Sequence, residues 1–477
     1  MIHAASPCET DVCNVCRLFA GLVVVPHFSF LHGFAPTAMH DHILGGKSFV
    51  QRVAILWSGK LAFSPLLDML NGEGSGSVCI QETHIVLSNV DDNQSGASLD
   101  GVRVVDLSRL LPGPFCSGIL ADHGASVTVI EAPRFRNDSV IVDVPMVQRN
   151  KRHMAVDLKH EAGREIFMRL AAAADVILEA FRPGVVRDLG VDYDTVKVLN
   201  PRIIYCSLSG YGQYGPLAKK AVHDLNCVAY AGVLDLLRDS QGTPIEPGLP
   251  LAGLIGSLYA AIGILLALQA RNVTGAGQYI DVSMSDSLMS LLALPLAEAH
   301  SAATQAGAQA QPPGAHARPY YRSYRTKDAR YLAVGALEKH LWKQLCEKLN
   351  CPFYTDKQHD SEAAEEIAQY FEHAFAQRDL DDWLAVFSDA NDCVAPVLSG
   401  AELLEDKHAA ARGMLYRTPS GAPQPGIAVK LGATPGSVRR PGYRFGEHTK
   451  EILVELGYTE REIAELVAAG TVWAPAV

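Results

Sequence analysis

From Leu99 onward the chain alternates short apolar runs with longer stretches of helical spacing. The strand-like runs are VRVVDLS (102–108), SVTVIEA (126–132), HMAVDLK (153–159), DVILEA (175–180) and RIIYCSLS (202–209). Between them lie PGPFCSGILADHGA (112–125), a helix opened by proline, and the helical pattern from Glu161 to Ala174. Strands alternating with helices of this length predict a parallel sheet with helices on both faces, with ligands at the carboxyl ends of the strands. Residues 247–270 form an interval of 24 residues without Asp, Glu, Lys or Arg. It is long enough to cross a bilayer, but Gly253, Gly256, Ser257 and Gly263 suit close packing and no second such span accompanies it. It reads as a core helix. The helical pattern then continues past Ile280 through SDSLMSLLALPLAEA.

The same patterning divides the chain. Residues 1–98 hold no sustained period, contain linker-like stretches at Gly72–Gly76 and Asp91–Ser98, and read as an extra arm or upstream sequence without assigned function. Residues 99–300 form a large α/β domain, and 301–314 an Ala/Gln/Gly/Pro-rich linker. Residues 315–405 form a smaller α+β domain with two strands around the Lys327-Asp328 turn and another at 392–398. Residues 406–477 form a largely helical segment returning to the large domain.

Composition narrows the function. The net charge is −11, from 52 acidic and 41 basic residues, which disfavours a nucleic-acid partner held through phosphates. Ten cysteines, mostly single in apolar runs (Cys116, Cys206, Cys227), fit a reduced cytoplasmic protein. The cluster Cys8, Cys13, Cys16 lacks a fourth ligand, so no metal is expected. Leu18–Val25 is short for a signal peptide and follows Glu9 and Asp11, so no membrane association is expected.

Two motifs carry candidate chemistry. His223 and Asp224 open a helical pattern shortly before the uncharged interval, a suitable place for a general base in a dry pocket, although a lone histidine at a helix start is more often structural. Gly210, Gly212 and Gly215 fit the spacing of a dinucleotide fingerprint. Pro216 and two lysines follow, however, and the motif lies far from the first βα turn, so it reads as a mobile loop beside an acyl pocket.

Taken in order, LDGVRVVDLSRLLPGPFCSGILADHGASVTVIEAP, RNKRHMAVDLK, ADVILEAFRPGV, NPRIIYCSLSGYGQYGP, HDLNCVAYAGVL, GILLALQARNVTGAGQYIDVSM, YRTKDARYLAVGALE, CVAPV and GEHT resemble the family III CoA-transferases over about residues 99–460, within them the α-methylacyl-CoA racemase branch. The resemblance implies a Rossmann-like CoA-binding domain, a small domain and a homodimer of interlocked subunits whose pocket lies between the large domain of one and the small domain of the other. It implies acyl-CoA or CoA as substrate and no prosthetic group. It assigns His223 as a base beside the thioester, Asp224 to a carboxylate position, and Glu338 to the glutamate that holds the histidine from the neighbouring subunit. Lys151, Arg152, Lys159, Phe181 and Arg182 fall where the family binds CoA, and Ala132 stands where an arginine is common, with Arg134 two residues on. One departure bears on mechanism. Ungapped counting puts Gly253 at the family aspartate, the acyl acceptor of the transferases and second base of the racemases. The implied function is therefore acyl-CoA α-proton chemistry, most like the racemases; the alternatives are CoA transfer between carboxylic acids and a catalytically impaired CoA-binding paralogue.

Overall fold

A computed structural model describes residues 96–137, 145–239, 241–304, 318–389, 391–440, 442 and 444–475. The expectations for residues 1–95, and for most of the 301–314 linker, lie outside the described residues; the preceding helix runs Ala293–Thr304, so residues 301–304 are helical.

Seven strands form the large sheet: β1 (Arg103–Asp106), β2 (Ser126–Glu131), β3 (Lys151–Val156), β4 (Val176–Glu179), β5 (Ile204–Ser209), β6 (Tyr279–Ser283) and, late in the chain, β12 (Val472–Trp473). Their order is β12-β3-β2-β1-β4-β5-β6. All pairings are parallel except that of β12 with β3, where Val472 faces Val156 and Trp473 faces Ala155. The chain is thus an α/β protein with a mixed, mainly parallel sheet. Two of its strands escape the sequence reading: β6, which interrupts the helical pattern expected to run on past Ile280, and β12.

Both faces of the sheet are covered, so the strand period of two divides each strand between two cores. On β5, Tyr205 enters a cluster with Ile166, Phe167 and Ile177, whereas Cys206 and Leu208 enter another with Cys116, Leu120 and Ile264. Helix α1 (Pro112–Asp122) starts with proline in its first turn. Helix α2 (Glu161–Ala173) buries Ile166, Phe167 and Ala171. Helix α3 (Asp224–Tyr230) follows the glycine loop, and α4 (Leu251–Thr274) is the long uncharged helix. The buried face of α4 is built from small residues. A Cβ on Gly256 would lie 2.9 Å from Met284 Cγ, so glycine lets the next helix approach. Its other face leaves Leu258, Tyr259, Ile262, Leu265 and Leu266 exposed.

The smaller sheet is antiparallel, in the order β7 (Tyr321–Arg325), β8 (Tyr331–Gly335), β9 (Val394–Pro396). One face packs on α5 (Lys339–Lys348), α6 (Ala364–Phe375) and α7 (Leu380–Val386) around an aromatic core of Trp342, Phe371, Phe375 and Trp383. Its indoles stay satisfied: Trp342 Nε1 donates to Tyr354 O at 3.1 Å and Trp383 Nε1 to Phe375 O at 2.9 Å. A hairpin, β10 (Leu415–Arg417) with β11 (Pro423–Pro425), follows. Helices α8 (Thr449–Glu455) and α9 (Glu460–Ala468) then send Ile452, Leu453 and Ile463 into the core beside β3. Each such buried aliphatic side chain contributes about 1.5–3 kcal/mol.

Candidate active site

The carboxyl ends of β1 to β4 surround a cleft of about 370 Å³. Its floor is apolar, with Leu107, Val129, Ile130, Val156 and Leu158. Cations outnumber carboxylates in its lining: Arg109, Arg134, Lys159 and Arg182 against Glu131 and Asp157, which makes its rim basic on balance. The Arg109 guanidinium lies 4.1 Å and that of Arg134 4.6 Å from the centroid of the Phe135 ring, which fixes a cation-bearing aromatic plate at the mouth. Arg134 also reaches Asp157 Oδ1 at 3.4 Å. Phe181 supplies a second ring. An apolar floor below a basic rim suits a ligand with an uncharged arm and anionic groups at its outer end.

Of the five residues read as CoA contacts, Lys159, Phe181 and Arg182 line this cleft. Lys151 does not: it has no solvent exposure, and its ammonium donates to Pro114 O at 2.8 Å and Ser117 Oγ at 2.7 Å, 3.9 Å from Asp106. The phosphate contact expected of it is overturned by this burial, because β3 is covered on both faces and the lysine points inward. Burial pushes its pKa down to about 8 against the pull of Asp106. Arg152 is held by Glu455 at 2.6 Å and Glu451 at 3.2 Å on α8, away from the cleft lining.

Asp106 ties this interior to the cleft. It accepts from Ser108 N at 2.8 Å and from the hydroxyls of Ser108 and Ser117, setting the course of the segment from Ser108 to Pro112. Ser108 lines the cleft. Pro112 abuts the start of α4: its carbonyl accepts from Ser257 Oγ at 2.5 Å, and its Cγ lies 3.2 Å from where a Cβ on Gly253 would be. One short segment therefore joins the cleft to the neighbourhood of His223 and Asp224.

His223 is exposed and caps α3, with its backbone N–H bound to Asn226 Oδ1 at 3.0 Å. Asp224 turns the other way. Its Oδ1 accepts the Gly253 N–H at 2.7 Å, and the Ala252 amide adds a second contact, so this carboxylate caps α4. Partial burial raises its pKa while those two amides oppose the rise. A Cβ on residue 253 would stand 3.5 Å from Asp224 Oδ1. Glu338 is exposed at the start of α5, and within one chain no hydrogen bond or ion pair joins it to His223 among the described residues. The glycine loop is pinned: Gln213 N donates to both Asp281 oxygens at 3.2 and 3.0 Å, and Ser285 N to Gly210 O at 3.0 Å. No helix follows it before Asp224, so a pyrophosphate would meet no helix N-terminus there.

Several site residues escaped the sequence reading. Arg109 lies within the first family-like phrase without being marked by it as a cleft residue, and Phe135 and Gln148 fall outside the phrases that carry the resemblance. Glu179 sits behind Phe181, whose N–H it accepts at 2.8 Å, and it is 1% exposed. Burial pushes its carboxyl up to about 7, with the Ser207 and Phe181 donors opposing and Asp281 adding to the rise. A carboxyl whose pKa is raised by folding favours the folded state at low pH, and that contribution is lost as pH climbs from its unfolded value near 4.5 through about 7. The expected loss is about 3 kcal/mol. Urea titrations at pH 5 and pH 8 should show this decline in the unsubstituted protein and not in Glu179→Gln; equal slopes would contradict it.

Fold and cleft together define an α/β protein with a cleft at the carboxyl ends of the parallel strands of its sheet. The chain belongs to CoA-transferase family III, whose pattern matches residues 99–449. It is 35% identical to human "Alpha-methylacyl-CoA racemase" over 77% of this chain and 96% of that protein. It is 30% identical to human "Succinyl-CoA:glutarate CoA-transferase" over 78% and 90%. A CAIB/BAIF family protein from Brucella suis superposes with a TM-score of 0.66 at 28% identity, covering 76% of this chain and 100% of that one.

Proposed function

We propose that this chain acts on the α-carbon of acyl-CoA thioesters. The observation that carries the reading is the cleft: in a member of this family, an apolar floor under Arg109, Arg134, Lys159 and Arg182 matches an acyl-CoA, with phosphates at the rim and the pantetheine arm within. Coenzyme A is then part of the substrate and no prosthetic group is needed. His223 removes the α-proton, leaving a thioester enolate whose oxygen is stabilised by amides opening α3, and returns a proton to the same carbon. Asp224, committed to capping α4, does not attack. Glu338 of a second subunit would fix the imidazole tautomer. We place the protein in the cytoplasm, in keeping with its buried free thiols.

The reading calls for two chains. The exposed face of α4, with Leu258, Ile262, Leu265 and Leu266, supports burial against a second copy in an interlocked homodimer. Light scattering is expected at twice the chain mass, and a monomer at micromolar concentration would sink this part of the proposal.

Gly253 favours a second reading, a CoA-binding subunit without turnover, since neither a second base nor an acyl acceptor stands there. Gly253→Asp separates the two. A Cβ at 253 needs a few tenths of an ångström from the Pro112 ring and otherwise meets ordinary contacts. In deuterated buffer the unsubstituted protein is expected to exchange the α-proton of 2-methylacyl-CoA with little inversion. The variant should add inversion, raising racemisation at least about tenfold. No exchange by either protein would leave the non-catalytic reading standing.

A further inference from the structure

Gln148 is the polar group that the cleft leaves unanswered. It is 5% exposed, lines the cleft, and its Oε1 is buried with no hydrogen-bond partner. Its surroundings are well satisfied by contrast. Arg149, the next residue, is bound to Asp122 through Nε at 3.0 Å and Nη2 at 2.6 Å and donates Nη1 to Pro425 O at 2.7 Å. Asn150 serves Asp122, Ser437, Arg439 and Arg440. A buried amide oxygen without a partner costs stability in the free protein, and such an atom in a ligand cleft points to a partner that arrives with the ligand. Rotation about the terminal torsion of the side chain presents either its oxygen or its nitrogen, so it can answer a donor or an acceptor.

Depth decides which part of a ligand it meets. Of the charged residues lining the cleft, Arg134, Lys159 and Arg182 are exposed and Arg109, Glu131 and Asp157 are half-buried, whereas Gln148 is buried, in a lining it shares with the apolar Leu107, Val129 and Ile130. A phosphate would leave its cations to reach Gln148. An uncharged chain bearing secondary amides would not, because an amide offers both N–H and C=O to the glutamine and buries its methylenes on the apolar floor. We propose that Gln148 is a specificity-determining residue that reads an amide of the pantetheine arm, so that the protein selects CoA over the bare nucleotide. This rests on the CoA reading above.

The test uses Gln148→Leu, which keeps the volume and removes the amide, with calorimetric binding of CoA and of adenosine 3′,5′-bisphosphate, the nucleotide half without the arm. CoA affinity is expected to fall about 5- to 30-fold while the bisphosphate binds unchanged. The ligand-free variant should melt at the same temperature or higher, since an unsatisfied amide has been replaced by an apolar side chain; a merely structural glutamine would lower it. An unchanged CoA affinity, an equal loss for both ligands, or a lowered melting temperature would each overturn the proposal. Failure of the unsubstituted protein to bind CoA at all would remove the CoA reading and this inference together, a result distinct from a flat substitution series.

Discussion

His223→Ala is expected to slow α-proton exchange of a 2-methylacyl-CoA by about 10²–10⁴-fold, the span associated with loss of a positioned general base. The imidazole stands at the start of α3, where Asn226 fixes the backbone, and neither of the two nearest candidates among the described residues can replace it: Asp224 is held by the Gly253 amide and residue 253 has no side chain. CoA affinity should change little, because the cleft residues are untouched. His223 is exposed, so unfolding free energy should stay within about 0.5 kcal/mol. Deuterium uptake followed by mass spectrometry, beside a urea titration, reads both quantities. Exchange surviving at more than a tenth of the original rate would show that another group takes the proton.

Lys151→Ala should have the largest effect on stability, a loss of about 3–5 kcal/mol. Its ammonium and the Asp106 carboxylate are both fully buried, and removing the cation strands a carboxylate that keeps only Ser108 and Ser117. The damage would spread to the segment from Ser108 to Pro112, because Lys151 also holds Pro114 O. Lys151→Met should fill the volume but still leave the charge uncompensated, and Lys151→Met/Asp106→Asn should recover part of the loss. Urea midpoints for the three variants decide the matter; a loss under about 1 kcal/mol for the alanine variant would mean that the pair contributes little.

The same lysine marks the limit of sequence reading. In RNKRHMAVDLK, consecutive basic residues look like a charged surface, but β3 has helices on both faces and alternation sends Lys151 to the interior. Strands and helices from 102 to 209 were legible because each spans enough residues to display its period. β12 is two residues long and displays none. Tyr279–Ser283 was hidden between two helical patterns, and only its pairing with β5 makes it a strand. Site residues followed the same rule. Lys159, Phe181 and Arg182 sit in phrases with a recognisable pattern. Arg109 and Phe135 follow β1 and β2, whereas Gln148 closes the short helix Pro145–Gln148 ahead of β3, and the one available signal was the basic-aromatic run Arg134-Phe135-Arg136 after β2.

The antiparallel pairing of Val472 and Trp473 with β3 has a consequence for biogenesis. Until those residues emerge from the ribosome, this edge of β3 lacks its ladder, with the Asp157 N–H that later meets Thr471 O among the unpaired groups, leaving an open flank able to recruit strands from other nascent chains. Folding of the larger sheet thus waits for residues made long after β3, and removing Val472 and Trp473 would convert a closed margin into an adhesive one.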